Sequence, residues 1–266
     1  MLYKRDFRIL KEDERIAYEK AKALENKKFE FSYDDLMEFH DTMPLAGYHY
    51  DSLFPNNLLC IEEFEHKNLL EAKLDGLQQI LDNKEGEQKI LNHINAEEAH
   101  FIIGSMLKRG FDIGHHETYV FKEFGLPPNF ITDYLIVGKN SGGYEFVFVE
   151  LESAYGQITT KDGDFGTCIR KGLKQIEDWD EYIDGNFNNL NLLFQNAKRP
   201  GANLPDEFYK LDKTRIHYAI ISGRRTDFND KTYRKQRKLR EERKIHLIHY
   251  DSLVETTQRL LEDGNY

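Results

Sequence analysis

Three acidic side chains lie in one short, largely apolar part of the chain: Asp133, Glu150 and Glu152. An ionised carboxylate among apolar neighbours is unfavourable unless it is paired, hydrogen-bonded or bound to a cation. Mg²⁺ prefers oxygen ligands and usually takes one or two carboxylates, keeping water and phosphate oxygens in its remaining positions. Such an ion polarises a phosphoryl oxygen and lowers the pKa of a bound water, which together permit hydrolysis of a phosphodiester. The acids therefore outline a site for Mg²⁺ or Mn²⁺, with Asp133 and Glu150 as its ligands.

A hairpin is the element that would bring these acids together. Two β-branched and aromatic runs, 131–137 and 145–151, flank the turn cluster Asn140-Ser-Gly-Gly143, which is typical of antiparallel strands joined by a tight turn. Asp133 begins the first run and Glu150 ends the second, so antiparallel pairing places them side by side. The spacing also allows a structural interpretation, in which the aspartate caps or pairs at a strand end and the glutamates face water on a sheet edge.

Apolar runs and turn signals along the rest of the chain predict an α/β fold, with a mixed central sheet flanked by helices. Further strands are expected at 119–124, 216–222 and 245–250, and a loop rich in Asn, Pro and Gly at 184–205. The predicted helices cover residues 11–26, 32–39, 61–81, 88–94 leading through 99–107, 167–183, 231–244 and a last one through Leu261, capped by Asp251.

Two regions follow from this pattern. Residues 1–82 form a helical N-terminal region without a chemical motif, and residues 83–266 hold the sheet and the acids. A chain of 266 residues can bury one substantial core with a helical appendage, because single domains commonly run to about 250 residues.

Composition excludes several classes of protein. No apolar run approaches the roughly 20 residues that span a bilayer, and Cys60 and Cys168 are too few for a disulfide framework, so we expect a cytoplasmic protein without a membrane partner. The net charge of −10 argues against a generally cationic nucleic-acid binder. Ten basic and four acidic residues in 224–244 leave room for a local contact with nucleic acid.

A series of short motifs resembles the Shedu-type nuclease family of bacterial anti-phage defence, within the PD-(D/E)xK phosphodiesterase superfamily. The motifs span about residues 87 to 255, and their order is more specific than any one of them. They are Asp133-Tyr-Leu-Ile, Val149-Glu-Leu-Glu152, Thr160-Lys-Asp-Gly163, Lys174-Gln-Ile-Glu-Asp-Trp179, Gly223-Arg224 and His249-Tyr-Asp-Ser-Leu253.

This resemblance implies a restriction-endonuclease-like sheet and metal-dependent cleavage of nucleic acid, with DNA as the expected substrate and RNA as the alternative. Asp133 and Glu150 would bind the metal. The superfamily usually has Lys two residues after the second acid, where this chain has Glu152. The missing cation would therefore come from elsewhere, with Lys161 as the first candidate. An ammonium there would orient or deprotonate the attacking water and offset charge on the phosphorane.

Other side chains are further candidates for this chemistry. Lys171 and Lys174, on the helix that follows, are alternatives to Lys161. Gln175 falls beside the apolar stripe of that helix, where it either projects toward the acids or bridges at the helix surface. Glu87 matches a place where related nucleases sometimes carry an extra acid, or it is a solvated helix charge.

Basic residues after the buried strand at 216–222 are candidates for binding nucleic acid. Arginine has forked donors that suit phosphate, and the basic helix beyond could follow the nucleic-acid backbone or be a solvated face. The residues singled out are Arg224, Arg225, Lys231, Arg234 and Lys235.

Three functions are compatible with these residues. The first is a metal-dependent endonuclease, which would need two active sites to cut both strands, as a symmetric homo-oligomer would supply. The second is a catalytically silent nuclease fold that binds nucleic acid or protein, because Glu152 replaces the usual lysine. The third is glycoside hydrolysis by the carboxylates, which one Trp in the chain supports poorly because sugar clefts are usually lined by aromatic residues.

Overall fold

A five-stranded mixed sheet forms the centre of the computed structural model, which describes residues 2–25, 44–111, 113 and 116–266. The strands lie in sequence order across the sheet; β1–β2 and β2–β3 pair antiparallel, and β3–β4 and β4–β5 pair parallel. Their bounds are Glu117–Leu126 for β1, Phe130–Asn140 for β2, Gly143–Leu151 for β3, Ile216–Ile221 for β4 and Ile245–Ile248 for β5. The predicted α/β class and mixed sheet are thereby confirmed.

Helices cover both faces of this sheet. The described α-helices are α1 (Glu12–Glu25), α2 (Pro44–Asp51), α3 (Lys67–Asp82), α4 (Glu87–Ala96), α5 (Phe101–Gly104), α6 (Thr167–Ala197), α7 (Asp230–Arg243) and α8 (Tyr250–Asp263). Short 3₁₀ helices lie at Ile61–His66, Ser105–Lys108, Asp206–Phe208, Lys213–Arg215 and Arg225–Asp227. The helical N-terminal region is confirmed by α1, α2 and α3, and the helix predicted near 32–39 lies outside the described residues.

The β2–β3 hairpin follows the predicted register. Asn140 pairs with Gly143 across the two-residue turn, and the ladder runs to Tyr134 opposite Val149. Gly143 has a φ of +111°, and an added Cβ would lie 2.0 Å from Glu207 Oε1, so this position requires glycine. The next step of the same register places Asp133 opposite the residue after Val149, which is Glu150.

The alternation of side chains along β3 divides the apolar core into two layers. Val147 and Val149 face helices α3, α4, α5 and α8, whereas Phe146 and Phe148 face the long helix α6. Glu150 follows Phe148 in this alternation, so its side chain lies on the α6 side of the sheet. Away from these acids the layer under α6 is largely apolar, with Trp179 1% exposed and Ile183 fully buried.

Helix α6 is longer than predicted. It continues through 184–197, where a loop was expected because this segment is rich in Asn, and that prediction was wrong. Phe187, Leu190 and Phe194 extend the apolar stripe and are buried against the sheet, so tertiary packing outweighs the weak helix propensity of asparagine.

Helix α8 also begins differently from the prediction. Its N-cap is His249, whose side chain accepts a hydrogen bond from Ser252 N, and the predicted cap, Asp251, lies inside the first turn. Asp251 does not cap the helix, and its carboxylate pairs with Arg224 instead.

No helix within the described ranges is long and apolar enough to cross a membrane. The predicted division near residue 82 stays a prediction. Helix α3, which precedes that point, shares its core layer with the sheet and α8 through buried Leu74, Leu77 and Leu81.

Candidate active site

The three predicted acids lie together where β2 begins and β3 ends. The Oδ2 atom of Asp133 accepts a hydrogen bond from Leu151 N at 2.7 Å, which fixes the aspartate beside the end of β3. Glu150 is 5% and Glu152 is 2% exposed. The backbone N of Glu152 bonds Ile221 O at 2.8 Å, so both glutamates stay within the sheet and project from the same face. The acids therefore belong to the buried sheet rather than to a solvated edge.

Burial and mutual repulsion raise the pKa of all three carboxyl groups. Burial raises the pKa of Glu150 to about 9, and the charges of Asp133 and Glu152 add to the effect. Burial likewise raises the pKa of Asp133 to about 6, opposed by the bond from Leu151 N. The pKa of Glu152 rises to about 7 for the same first reason. The charge of Glu87, at the start of α4, raises the pKa values of Asp133 and Glu152 further, so the cluster lacks sufficient positive charge.

Helix α6 supplies the polar groups that face these acids. Lys171 Nζ lies 3.1 Å from Glu152 Oε1 and 3.2 Å from its Oε2. Gln175 lies one turn later on the same helix face, and its side-chain amide lowers the pKa of Glu150. Burial lowers the pKa of Lys171, but its bond to Glu152 and the charges of the surrounding glutamates together outweigh burial and raise that pKa, so the ammonium stays charged.

A close approach of α6 to the sheet makes these contacts possible. An added Cβ on Gly172 would lie 3.1 Å from Ile220 Cγ2 and 3.2 Å from Glu152 Cγ. Glycine inside a helix is unfavourable by about 1 kcal/mol relative to alanine, so its presence here indicates a packing requirement. Gly172 lets the helix approach β3 and β4 closely enough for Lys171 to reach Glu152.

The donor set fits a divalent cation with few protein ligands. Within the described residues, no group of three or more His, Cys, Asp or Glu side chains is placed to hold a metal ion. Mg²⁺ does not require one, because it commonly binds through one or two carboxylates and fills its other positions with water and phosphate oxygens. The raised pKa values of Asp133 and Glu150 are those of carboxyl groups that lack a cationic partner. A divalent ion there would reverse that effect.

The structure separates two of the candidate lysines from the acids. Lys161 is exposed in the loop before α6 and, among the described residues, forms no ion pair. Lys174 is directed away and pairs with Asp178 at 2.6 Å. Of the three lysines considered from the sequence, Lys171 is therefore the one whose ammonium contacts the acids.

The candidate phosphate-binding arginines are engaged with acids of helix α8. Arg224 holds Asp251 with its Nε at 3.1 Å and its Nη2 at 2.8 Å, and its Nη1 donates to Tyr155 Oη at 2.5 Å. Burial raises the pKa of Asp251, but the bonds from Arg224 outweigh it and hold that pKa at about 2. Arg225 pairs with Glu255 at 2.5 Å. Arg224 thus fixes the β4 exit to α8, a structural contact that the sequence did not predict.

The first half of the basic helix is partly neutralised too. Lys231 Nζ lies 3.2 Å from Asp164 Oδ1, and Lys235 contacts the same carboxylate. Arg234 is exposed and has no ion-pair partner among the described side chains. Exposed pairs contribute little energy, so a phosphate can displace them, and the predicted role of these residues stays a prediction.

Two features of the site were missed in the sequence. Gly172 gave a signal, because an isolated glycine inside a helix pattern often marks close packing. The four-residue spacing of Lys171 and Gln175 places them on one helix face and could have identified Lys171 over Lys161.

One comparison with known families matches this chain. The model described as Shedu protein SduA, C-terminal, matches residues 57–254, which is well over half of the chain and contains all three acids and helix α6. No curated protein matches the chain.

Proposed function

Since this chain belongs to the Shedu SduA family, we propose that it is a metal-dependent endonuclease that acts on DNA in anti-phage defence, built on the PD-(D/E)xK plan. The observation that carries the proposal is the juxtaposition of three sheet-borne carboxylates with one ammonium and one amide on the facing helix. If these acids had only a structural role, the fold would contain an unfavourable buried acidic cluster, since burial and mutual repulsion raise the pKa of each carboxyl group.

Asp133 and Glu150 are the proposed metal ligands, and Mg²⁺ or Mn²⁺ is the proposed ion. When bound, such an ion polarises the phosphoryl group and acidifies a water molecule. The hydrogen bond from Leu151 N holds Asp133 in place before the ion binds, because one carboxylate oxygen is already oriented by the backbone.

Lys171 is the proposed counterpart of the usual motif lysine. Its ammonium lies against Glu152, at the position where the motif would carry Lys, so the charge arrives from the helix instead of the strand. Glu152 orients the ammonium, which then stabilises negative charge that develops on the phosphorus oxygens. A salt-bridged but half-exposed lysine suits this role, since its side chain is 56% exposed and accessible to substrate.

Gln175 is a positioning residue whose side-chain oxygen is available for a further hydrogen bond. Its side-chain amide lowers the pKa of Glu150, while its Oε1 is buried and has no hydrogen-bond partner among the described residues. Buried acceptors are rarely left unpaired, so we assign this oxygen to a hydrogen bond from the attacking water.

A plasmid assay tests the proposal. Supercoiled DNA is incubated with the protein and Mg²⁺ or Mn²⁺, and nicked and linear products are resolved on a gel. Wild type should convert the plasmid, and Glu150→Ala should lose about 100-fold or more of the rate. Glu181→Ala, which removes an exposed acid from the far part of α6, is the matched control and should remain active.

Two results would contradict the proposal. Activity that survives Glu150→Ala would remove the assigned site. Intact plasmid under all metal conditions, together with DNA binding, would instead favour the catalytically silent binding module that Glu152 in place of lysine first suggested.

A further inference from the structure

A small cavity lies beside β5, at the edge of the sheet away from the acid-bearing hairpin. Its volume is about 100 Å³, and its wall is formed by the 3₁₀ turn before β1, by helix α7 and by β5 itself. Three arginines define it as the arginine pocket: Arg109, Arg237 and Arg240.

These arginines lack acidic partners. Among the described residues, no carboxylate lies within 4.0 Å of any of the three, whereas Arg243 on the same helix pairs with Glu177 at 3.1 Å. The chain has a net charge of −10, yet three guanidinium groups surround this one cavity and no carboxylate pairs with them. The pocket is therefore a concentration of positive charge without a balancing anion.

Neighbouring charges strengthen this imbalance. Burial lowers the pKa of Arg109, and the charges of Arg225 and Arg259 lower it further, while Glu255 opposes them. Glu255 is itself bound to Arg225, so its charge is shared between Arg225 and Arg109. A bound anion would relieve the repulsion between these guanidinium groups.

The remaining walls of the pocket are fixed. Gln236 Nε2 donates to Leu247 O at 2.5 Å, which anchors this part of α7 to β5. His246 is 9% exposed and stacks on Phe111 with ring centroids 4.0 Å apart. Burial lowers the pKa of His246 to about 4, and Arg240 contributes, so this ring is neutral at ordinary pH. The charge of the pocket therefore comes from its arginines.

We propose that the arginine pocket is a binding site for a phosphate group, supplied by the backbone of a nucleic-acid strand. Guanidinium groups bind phosphate oxygens through paired hydrogen bonds, which a lone lysine cannot do. A volume of about 100 Å³ leaves room for one phosphoryl group.

The position of the pocket connects it to the candidate active site. Strands β3, β4 and β5 are parallel, so their carboxyl ends meet at one edge, where Glu150 lies at the end of β3 and Arg225 follows β4. The charge of Arg225 acts on Arg109, so positive charge continues from that edge toward the arginine pocket. A strand that crosses the acids could thus leave one phosphate in the pocket. The choice of nucleic acid as the source rests on the proposed function, but phosphate binding does not.

Binding without cleavage tests this inference. The double variant Arg237→Gln with Arg240→Gln is compared with Lys67→Gln and Lys210→Gln, which remove the same charge from two exposed pairs elsewhere. Fluorescence anisotropy with a labelled DNA duplex is measured in EDTA over a series of salt concentrations. The pocket variant should lose about tenfold or more in affinity and reduce the salt slope by about 2, while the control loses less than about threefold. Arg109→Gln, on a different element, should weaken binding in the same direction.

Each alternative result has a defined meaning. Equal losses in the pocket and control variants would overturn the site, because the effect would then be one of net charge. Calorimetry with inorganic pyrophosphate separates the source: pocket-dependent binding of pyrophosphate with unchanged DNA affinity would overturn the assignment to nucleic acid. Because EDTA removes the metal, a protein that binds DNA through the pocket but never cuts it would fail the proposed function and leave this inference standing.

Discussion

Lys171 Nζ lies 3.1 Å from Glu152 Oε1, so helix α6 brings a cation to the position where the proposed motif would carry a lysine. We predict that Lys171→Ala lowers the rate of plasmid cleavage by about 100-fold or more. The variant lacks the ammonium that stabilises negative charge on the phosphorus oxygens as the bond is cut. Lys161→Ala should cut at the wild-type rate. Initial cleavage rates of the two variants, measured at a saturating metal concentration, test this ranking.

The opposite ranking of these two variants would return the role to Lys161 and to the loop before α6. Lys171→Arg is the conservative variant, and it should recover part of the activity because it keeps the charge but changes the donor geometry. If Lys171→Ala unfolds the protein, Lys171→Met takes its place in the comparison, because methionine keeps the apolar part of the side chain. Circular dichroism then checks that Lys171→Met is folded.

The tight packing of α6 on the sheet gives a second prediction. Gly172→Ala would place a Cβ 3.2 Å from Glu152 Cγ, so the helix or the glutamate must shift by a few tenths of an ångström. Overpacking commonly costs about 1–3 kcal/mol, against a gain of about 1 kcal/mol in helix propensity. We expect a small loss of stability and a larger loss of cleavage activity.

A glycine in the same helix provides the matched control. An added Cβ on Gly185 meets nothing within 4 Å, and this residue is exposed. Gly185→Ala should therefore raise the free energy of unfolding by about 0.5–1 kcal/mol and leave cleavage unchanged. Urea unfolding and the plasmid assay measure the two effects; stabilisation by Gly172→Ala with full activity would show that the close approach is not needed.

Local sequence patterns predicted the acid hairpin and the order of elements because both depend on short-range signals. The turn at 140–143 and the two apolar runs fix the register, and the register alone sets Asp133 opposite Glu150. The length of α6 was not predictable in the same way. Its last three turns carry many asparagines, and it is burial of Phe187 and Phe194 against the sheet that keeps them helical.

Ion pairs between residues distant in the chain could not be predicted from the sequence, for a different reason. Arg224 was predicted to meet a phosphate, yet its guanidinium holds Asp251 and Tyr155, residues distant from it in the chain. A charge pattern does not identify which opposite charge folding brings near. The same limit left three candidate lysines, and the structure shows that Lys171 is the one that contacts Glu152.

Metal binding can be detected without measuring activity. Addition of Mg²⁺ at ten times its dissociation constant should stabilise the folded protein by about 1.4 kcal/mol, a rise of roughly 3–6 °C in Tm for a chain of this size. Glu150→Gln should abolish this rise and, without metal, have a Tm above that of wild type, because burial raises the pKa of Glu150 to about 9 and glutamine does not have to take up a proton on folding.

Exposed acids supply the control for this measurement. Glu181→Gln should keep the wild-type response to Mg²⁺, and NaCl of equal ionic strength should not reproduce it. An equal Mg²⁺ response in wild type and Glu150→Gln would place the ion elsewhere, even if the protein cleaves DNA.

The N-cap of α8 gives a pH-dependent stability. His249 Nδ1 must be unprotonated to accept the bond from Ser252 N, and burial, together with nearby arginines, lowers its pKa from 6.5 to about 4. Between about pH 6.5 and 4 the unfolded chain binds a proton that the folded protein does not, so stability falls as the pH decreases through this window. Above it, the contribution is complete.

His249→Asn isolates this effect, because asparagine is a good N-cap acceptor and does not titrate. From about pH 7.5 to about pH 5, wild type should lose roughly 1–2 kcal/mol more unfolding free energy than the variant. Urea unfolding at both pH values measures the difference, and groups common to both proteins cancel in it. His66→Asn, at an exposed site, should leave the wild-type pH dependence unchanged. Equal pH dependence in wild type and His249→Asn would mean that His249 has the same pKa in the folded and unfolded chain, which would contradict the lowered pKa of the buried cap.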